Sequence, residues 1–137
     1  MKNFTLVFVM ICSALLLSFS CKKKKADPHV PPEVSLKSGG AYTDADKTVN
    51  RKDTILVGIS ATKTEDNLKS YNVSYYYDGN TVSTTFYNYW LTTDEANSYS
   101  KDIKIGARDQ AGSEKWVFSM VDRDGNITQK TIVLIVK

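Results

Sequence analysis

One histidine, His29, and two cysteines, Cys12 and Cys21, are all that this sequence offers for imidazole or thiol chemistry, and all three precede residue 30. A Ser-His-Asp or Cys-His arrangement, a His-based zinc site and a disulfide are therefore unavailable to the rest of the chain. Carboxylates come in pairs at Glu65/Asp66 and Asp94/Glu95. These neighbours sit among polar turn residues and read as solvated, whereas glycoside hydrolysis needs two acids facing each other across a cleft. Asp122, Asp124 and Asn126 alternate as the oxygen ligands of a calcium ion do. The glycine at 125 comes too early for an EF-hand loop and no glutamate closes it. The expectation is a hairpin turn whose Asx side chains bond their own backbone, with calcium as the weaker alternative, and Asp44 and Asp46 are read in the same way. No enzyme activity and no cofactor are expected.

Aromatic residues are the remaining chemistry. Six of the eight tyrosines fall between Tyr71 and Tyr89, on two alternating runs separated by Asp78-Gly79. Asp-Gly favours a two-residue type I′ turn, because both central residues need positive φ. Continued from that turn, the register sets Tyr77 opposite Asn80, Tyr75 opposite Val82 and Tyr71 opposite Phe86. Tyr71, Val73, Tyr75, Val82 and Phe86 then form the core face. Tyr76, Tyr87 and Tyr89, with Trp90 at the edge, are sent to a face shared with Ser70, Asn72, Ser74, Thr81, Ser83 and Thr85, where exposed rings can stack on sugars or partner proteins. The ordinary alternative is that tyrosine is simply a good strand residue whose hydroxyl reaches water.

The elements that would position these groups are short strands. Apolar and polar residues alternate over 54–63, 68–77 and 99–107, 114–121 carries Trp116, Phe118 and Met120 on one face, and 127–136 reads as the closing strand, with turn residues about every ten positions, the spacing of a sandwich or barrel. Residues 33–37 read as a first strand with a possible continuation at Thr48 and Val49, and 80–89 as the return arm of the tyrosine hairpin. The total is about seven antiparallel strands. No helix is expected, although 92–97 has room for one helical turn. A chain of 137 residues suits one such domain.

Charge is distributed unevenly. Of eighteen Lys and Arg, five are Lys2 and Lys22 to Lys25; from Ala26 onward thirteen cations face fifteen acids. The formal charge of +3 therefore belongs to the N-terminal segment, and the folded part lacks the basic patch that nucleic-acid binding requires.

That segment reads as an address. Lys2 is followed by an apolar run over 4–17, short of the roughly 20 residues of a membrane span. The run ends in Leu17-Ser18-Phe19-Ser20-Cys21, which resembles a bacterial lipobox. The resemblance implies removal of residues 1–20 and attachment of lipid to Cys21. An uncleaved anchor is the alternative, since Lys22 to Lys25 follow the apolar run. Residues 21–32, with Pro28, Pro31 and Pro32, read as a tether. Lysines where some lipoproteins carry a surface-export acidic cluster lean toward the periplasmic face of an outer membrane.

Toward the C-terminus, Ala107-Arg108-Asp109-Gln110-Ala111-Gly112, then Val121-Asp122-Arg123-Asp124-Gly125-Asn126 and a Thr/Val/Ile strand, resemble the end of bacterial immunoglobulin-like and PKD-like domains. The antibody-type Cys-Trp-Cys framework is missing. The expectation is a signal peptide over 1–20, a lipidated tether over 21–32 and an all-β, antiparallel immunoglobulin-like sandwich over 33–137. The expected function is a binding or structural module of a cell-envelope lipoprotein, with a carbohydrate-binding module of a glycan-capture system as the alternative. Its expected partners are the membrane, through the lipid, and an envelope protein or glycan.

Overall fold

The computed structural model describes residues 28–137; the signal peptide, Cys21 and the lysine run lie outside the described residues. The described residues form eight strands and no helix: β1 (Glu33–Leu36), β2 (Lys47–Val49), β3 (Thr54–Thr62), β4 (Leu68–Tyr77), β5 (Thr84–Trp90), β6 (Ser98–Gly106), β7 (Gly112–Asp122) and β8 (Ile127–Val136). They make a three-stranded sheet, β1-β3-β6, facing a five-stranded one, β2-β8-β7-β4-β5. All ladders are antiparallel except β2–β8, where a strand from the start of the chain runs parallel to the last one. This is an all-β, immunoglobulin-like sandwich.

The first expected strand and its continuation are two elements in different sheets, which is why the count is eight. Gly39 and Gly40 both take positive φ, 80° and 58°, and let the chain leave β1 and cross to the other sheet. The Asp46 carboxylate then accepts the Val133 N–H at 2.8 Å, which seats this segment along β8.

Period-two patterning fills the core. Ile55, Val57, Ile59 and Ala61 of β3 meet Trp116, Phe118 and Met120 of β7 and Ile132, Leu134 and Val136 of β8, all buried. One face of each strand is apolar because successive side chains alternate across a sheet. Ahead of β1, Pro32 is buried, and the Thr64 hydroxyl donates to the carbonyls of Val30 and Pro31 at 3.0 Å.

The tyrosine hairpin departs from its expected register. Its turn is as expected: Asp78 and Gly79 have φ of 51° and 74°, and the Asn80 N–H donates to the Tyr77 carbonyl at 2.8 Å. Beyond it the Asn80 side chain accepts the Val82 N–H at 3.2 Å, a local Asx bond that competes with the ladder. Tyr75 consequently pairs with Thr84 in place of Val82, a slip of two residues, and a bulge between Val73 and Ser74 adds one more, so that Val73 pairs with Tyr87 and Tyr71 with Tyr89. An odd total slip turns the rest of β5 over. Tyr87 and Tyr89 therefore lie on the inner face, against the expectation, and Val82 is 72% exposed and not core.

Candidate functional site

Three strands cannot cover five. Along β4 the inward side chains run from fully buried Tyr71 and Val73 through half-buried Tyr75 to Tyr77, which is 38% exposed. Opposite them on β7 stand Met120, Phe118, Trp116 and Glu114. Where the cover ends, the rings form a chain: Tyr77 to Tyr75 at 4.9 Å, Tyr75 to Trp116 at 4.9 Å, and Phe86 edge-on to Trp116 at 5.2 Å. Phe86 is the residue at the β5 bulge, and it is 46% exposed. The expectation that it faces inward holds; the expectation that it is core does not.

Polar groups fix this surface from behind. The Trp116 indole N–H donates to one carboxylate oxygen of Glu114 at 3.0 Å, and the Arg108 backbone N–H donates to the other at 2.8 Å; Glu114 is fully buried. The Arg108 guanidinium lies 4.7 Å from the centre of the Tyr77 ring and is ion-paired to Asp78. Its Nε also donates to the Gln110 carbonyl at 3.1 Å. Asp78 closes the latch by accepting the Ser113 N–H at 2.9 Å, and so ties the hairpin tip to the start of β7. The Arg108 bond, followed by that of Ser113, holds the Asp78 carboxyl below its usual range. Burial, and then the neighbouring Tyr75, push the Tyr77 hydroxyl up. A cation over one ring and a network behind the others make the surface preorganised.

Gly112 is required by the latch. Its φ is 144°, and a Cβ there would land on the Arg108 guanidinium and the Asp78 carboxylate. Gly112→Ala should lower stability by about 1–3 kcal/mol, the usual cost of a strained backbone position. Thermal melting checks this; an unchanged melting temperature would show that the latch contributes nothing.

The four aromatic residues expected to share one exposed face are separated. Tyr87 and Tyr89 stack along the open seam between β5 and β6, Tyr89 lying 5.8 Å from Tyr99 and Tyr87 6.0 Å from Tyr71, with the Lys101 ammonium 5.5 Å from the Tyr87 ring. The Tyr89 hydroxyl donates to Glu95 at 3.1 Å, and that bond raises its pKa. Glu95 also reaches back to the Thr92 N–H at 2.9 Å, the reciprocal half of a capping box, so the 92–97 segment is a single tight turn. The Thr92 N–H is the chief cause of a lowered Glu95 pKa. Tyr76 is on the outer face opposite Lys115, whose ammonium is 5.9 Å from its ring. Trp90 is also on the outer face, 64% exposed, opposite Ser70 and 5.8 Å from the Lys69 ammonium. Ser70 and Tyr76 are six residue steps apart on β4, about 20 Å along a strand, so no common platform joins Tyr76 to Trp90.

Asp122 and Asn126 do come together. The buried Asp122 carboxylate accepts the Asn126 N–H at 2.8 Å and its side-chain amide at 3.0 Å, one on each oxygen. Both oxygens are thus engaged in closing the β7–β8 turn, and Asp124 is exposed beside it. The residues that sequence reasoning missed are Arg108, Glu114 and Trp116 as supports and Phe86 and Tyr77 as exposed rings. A usable signal was the Glu114-x-Trp116 spacing, which puts an acceptor and an indole donor on one face of a strand.

No protein-family model matches this chain, and no curated protein matches it. Solved structures do resemble it. A chitin binding domain from Burkholderia pseudomallei superposes with a TM-score of 0.51 at 9% identity, over 67% of this chain and 57% of that one. This chain thus spans little more than half of that protein's length. The CARDB domain of the PF1109 protein from Pyrococcus furiosus gives 0.45 at 11% identity, over 82% and 100%. Murine CRIg gives 0.41 at 13% identity, over 77% and 98%. The first likeness is one of fold alone.

Proposed function

We propose that this protein is a non-catalytic lipoprotein of the bacterial cell envelope, held to the outer membrane by lipid on Cys21, whose sandwich binds a partner through Tyr75, Tyr77 and Phe86. The observation that carries the binding role is the ring chain left uncovered where the three-stranded sheet ends. Exposed apolar surface of this kind marks interaction sites, and rings already fixed by Trp116, Glu114 and Arg108 lose little entropy on binding. The anchor rests on the lipobox-like Leu17 to Cys21 segment and the lysine and proline tether behind it, and the lysines favour the periplasmic side. In cells fed a labelled lipid precursor, the wild-type chain should take up label and sediment with membranes, while Cys21→Ala should do neither. Label retained by Cys21→Ala refutes the anchor. Binding by the ring chain is tested separately, by retention of solubilised envelope material on wild type against Tyr77→Ser/Phe86→Ser.

One observation favours carbohydrate as the partner. Trp90 is the most exposed ring on the outer face and stands among Ser70, Asn72 and Asn88, whose amides and hydroxyl can bond sugar hydroxyls while the indole stacks on the ring. Under this reading, Trp90→Ala abolishes retardation of the protein in gels containing soluble polysaccharide, and Tyr77→Ser/Phe86→Ser leaves retardation intact. The opposite pattern assigns binding to the inner-face rings.

A further inference from the structure

Among the described residues each sheet has two edges without a partner strand, and three of the four are short or carry prolines or charges that discourage pairing. Edge β1 has four residues and follows Pro31-Pro32; edge β2 has three residues; edge β6 carries Lys101, Asp102 and Lys104. Short strands, prolines and charges are the usual ways of blocking strand addition. Edge β5 has none of them. Its seven residues are Thr84-Thr85-Phe86-Tyr87-Asn88-Tyr89-Trp90, all β-favouring except Asn88, and no charged residue or proline occurs anywhere from Gly79 to Thr93. Five of the seven are exposed, and among the described residues no strand pairs with the outer side of β5.

We infer that β5 is an interface between two copies of this chain, which pair edge to edge as antiparallel strands and join their five-stranded sheets into one. Three features favour a second copy. A two-fold pairing sets a strand against itself, so any charge on it would meet its own like, and β5 itself carries none, the Lys101 ammonium over Tyr87 and the Lys69 ammonium over Trp90 coming from its neighbours. A pairing centred on Asn88 keeps inner residues inward, and it places Tyr87 of each copy beside Tyr89 of the other, extending the aromatic seam already present. It also brings the two Asn88 side chains together on the outer face, where an amide, being both donor and acceptor, is complementary to itself. The Phe86 bulge sets an inward ring opposite the outward Trp90 of the other copy, so the regular part of such a ladder is limited to Tyr87-Asn88-Tyr89. The centre of this interface, Tyr87 to Tyr89, lies apart from Tyr75 and Tyr77, while Phe86, Asn88 and Trp90 of the surfaces proposed above stand on the same strand.

The full chain should be expressed with two different tags in one cell and recovered from detergent-solubilised membranes through one of them. The wild-type copies should co-purify. Asn88→Lys on both copies should reduce the second tag about tenfold or more, since like charges then meet at the centre, and Asn88→Lys on one copy with Asn88→Glu on the other should restore it. Lys104→Glu, a change on the charged edge β6, should have no effect. Absence of co-purification in the wild type, indifference to Asn88→Lys, or failure of the Lys/Glu combination to recover the pair would each overturn the inference. So would recovery of β5 occupied by a different protein. Restoration by opposite charges shows that the single variants fold.

Discussion

Replacing Glu114 by leucine should cost about 3 kcal/mol of stability, because one buried and one partly buried donor lose their acceptor at once and each unsatisfied donor costs about 1–3 kcal/mol. The donors are the Trp116 indole and the Arg108 backbone N–H, bonded to separate oxygens of a carboxylate that no solvent reaches. Leucine fills similar space and would be tolerated if the position needed only bulk. Glu114→Gln keeps one acceptor oxygen and turns the other bond into a meeting of two donors, so its loss should be smaller, about 1–2 kcal/mol. Urea unfolding followed by tryptophan fluorescence separates the two, with the midpoint falling in that order and the slope unchanged. Wild-type stability in Glu114→Leu would mean that desolvation of the carboxylate offsets everything its two bonds contribute, as happens at some buried ionic sites. The ring chain would then lack the rigid support ascribed to it.

How far the sequence could be read depended on what set each strand's register. Over β3 and β7 one parity is mainly apolar and the other mainly polar, so Ile55 to Ala61 and Trp116 to Met120 announce their inner faces and burial follows them, whereas Ile132 to Val136 is apolar on both parities. The stretch from Asn80 to Trp90 has no such bias: Val82, Phe86 and Trp90 stand on one parity, Tyr87 and Tyr89 on the other. Only the turn could set its register, and the turn was overridden within two residues by the Asn80 side chain and then by the Phe86 bulge. Neither event leaves a mark in hydrophobic pattern. The separation of β1 from β2 was hidden for a related reason, since two glycines announce a turn without saying which sheet the chain enters next. Glu114 was invisible as a support because a lone acid in a strand ordinarily reads as solvated. The surplus of five strands over three, which exposes Tyr77 and Phe86, follows from sheet order and has no local sequence correlate.

Capture of envelope components by the full chain, compared between the wild type and Tyr77→Ser/Phe86→Ser, is the direct test of the ring chain as a binding site. Both side chains lie at the uncovered end of the ring chain, 38% and 46% exposed, so their joint removal should cost about 2–3 kcal/mol of stability and leave the domain folded. An aromatic anchor at the centre of an interface is commonly worth about 2 kcal/mol or more. With two anchors lost, retention of detergent-solubilised envelope material on the immobilised chain should fall about thirtyfold or more, in a variant that still unfolds cooperatively at a lowered melting temperature. A variant that folds and retains the same material to the same extent would contradict the proposed site. One that unfolds would contradict the placement of these rings at the surface.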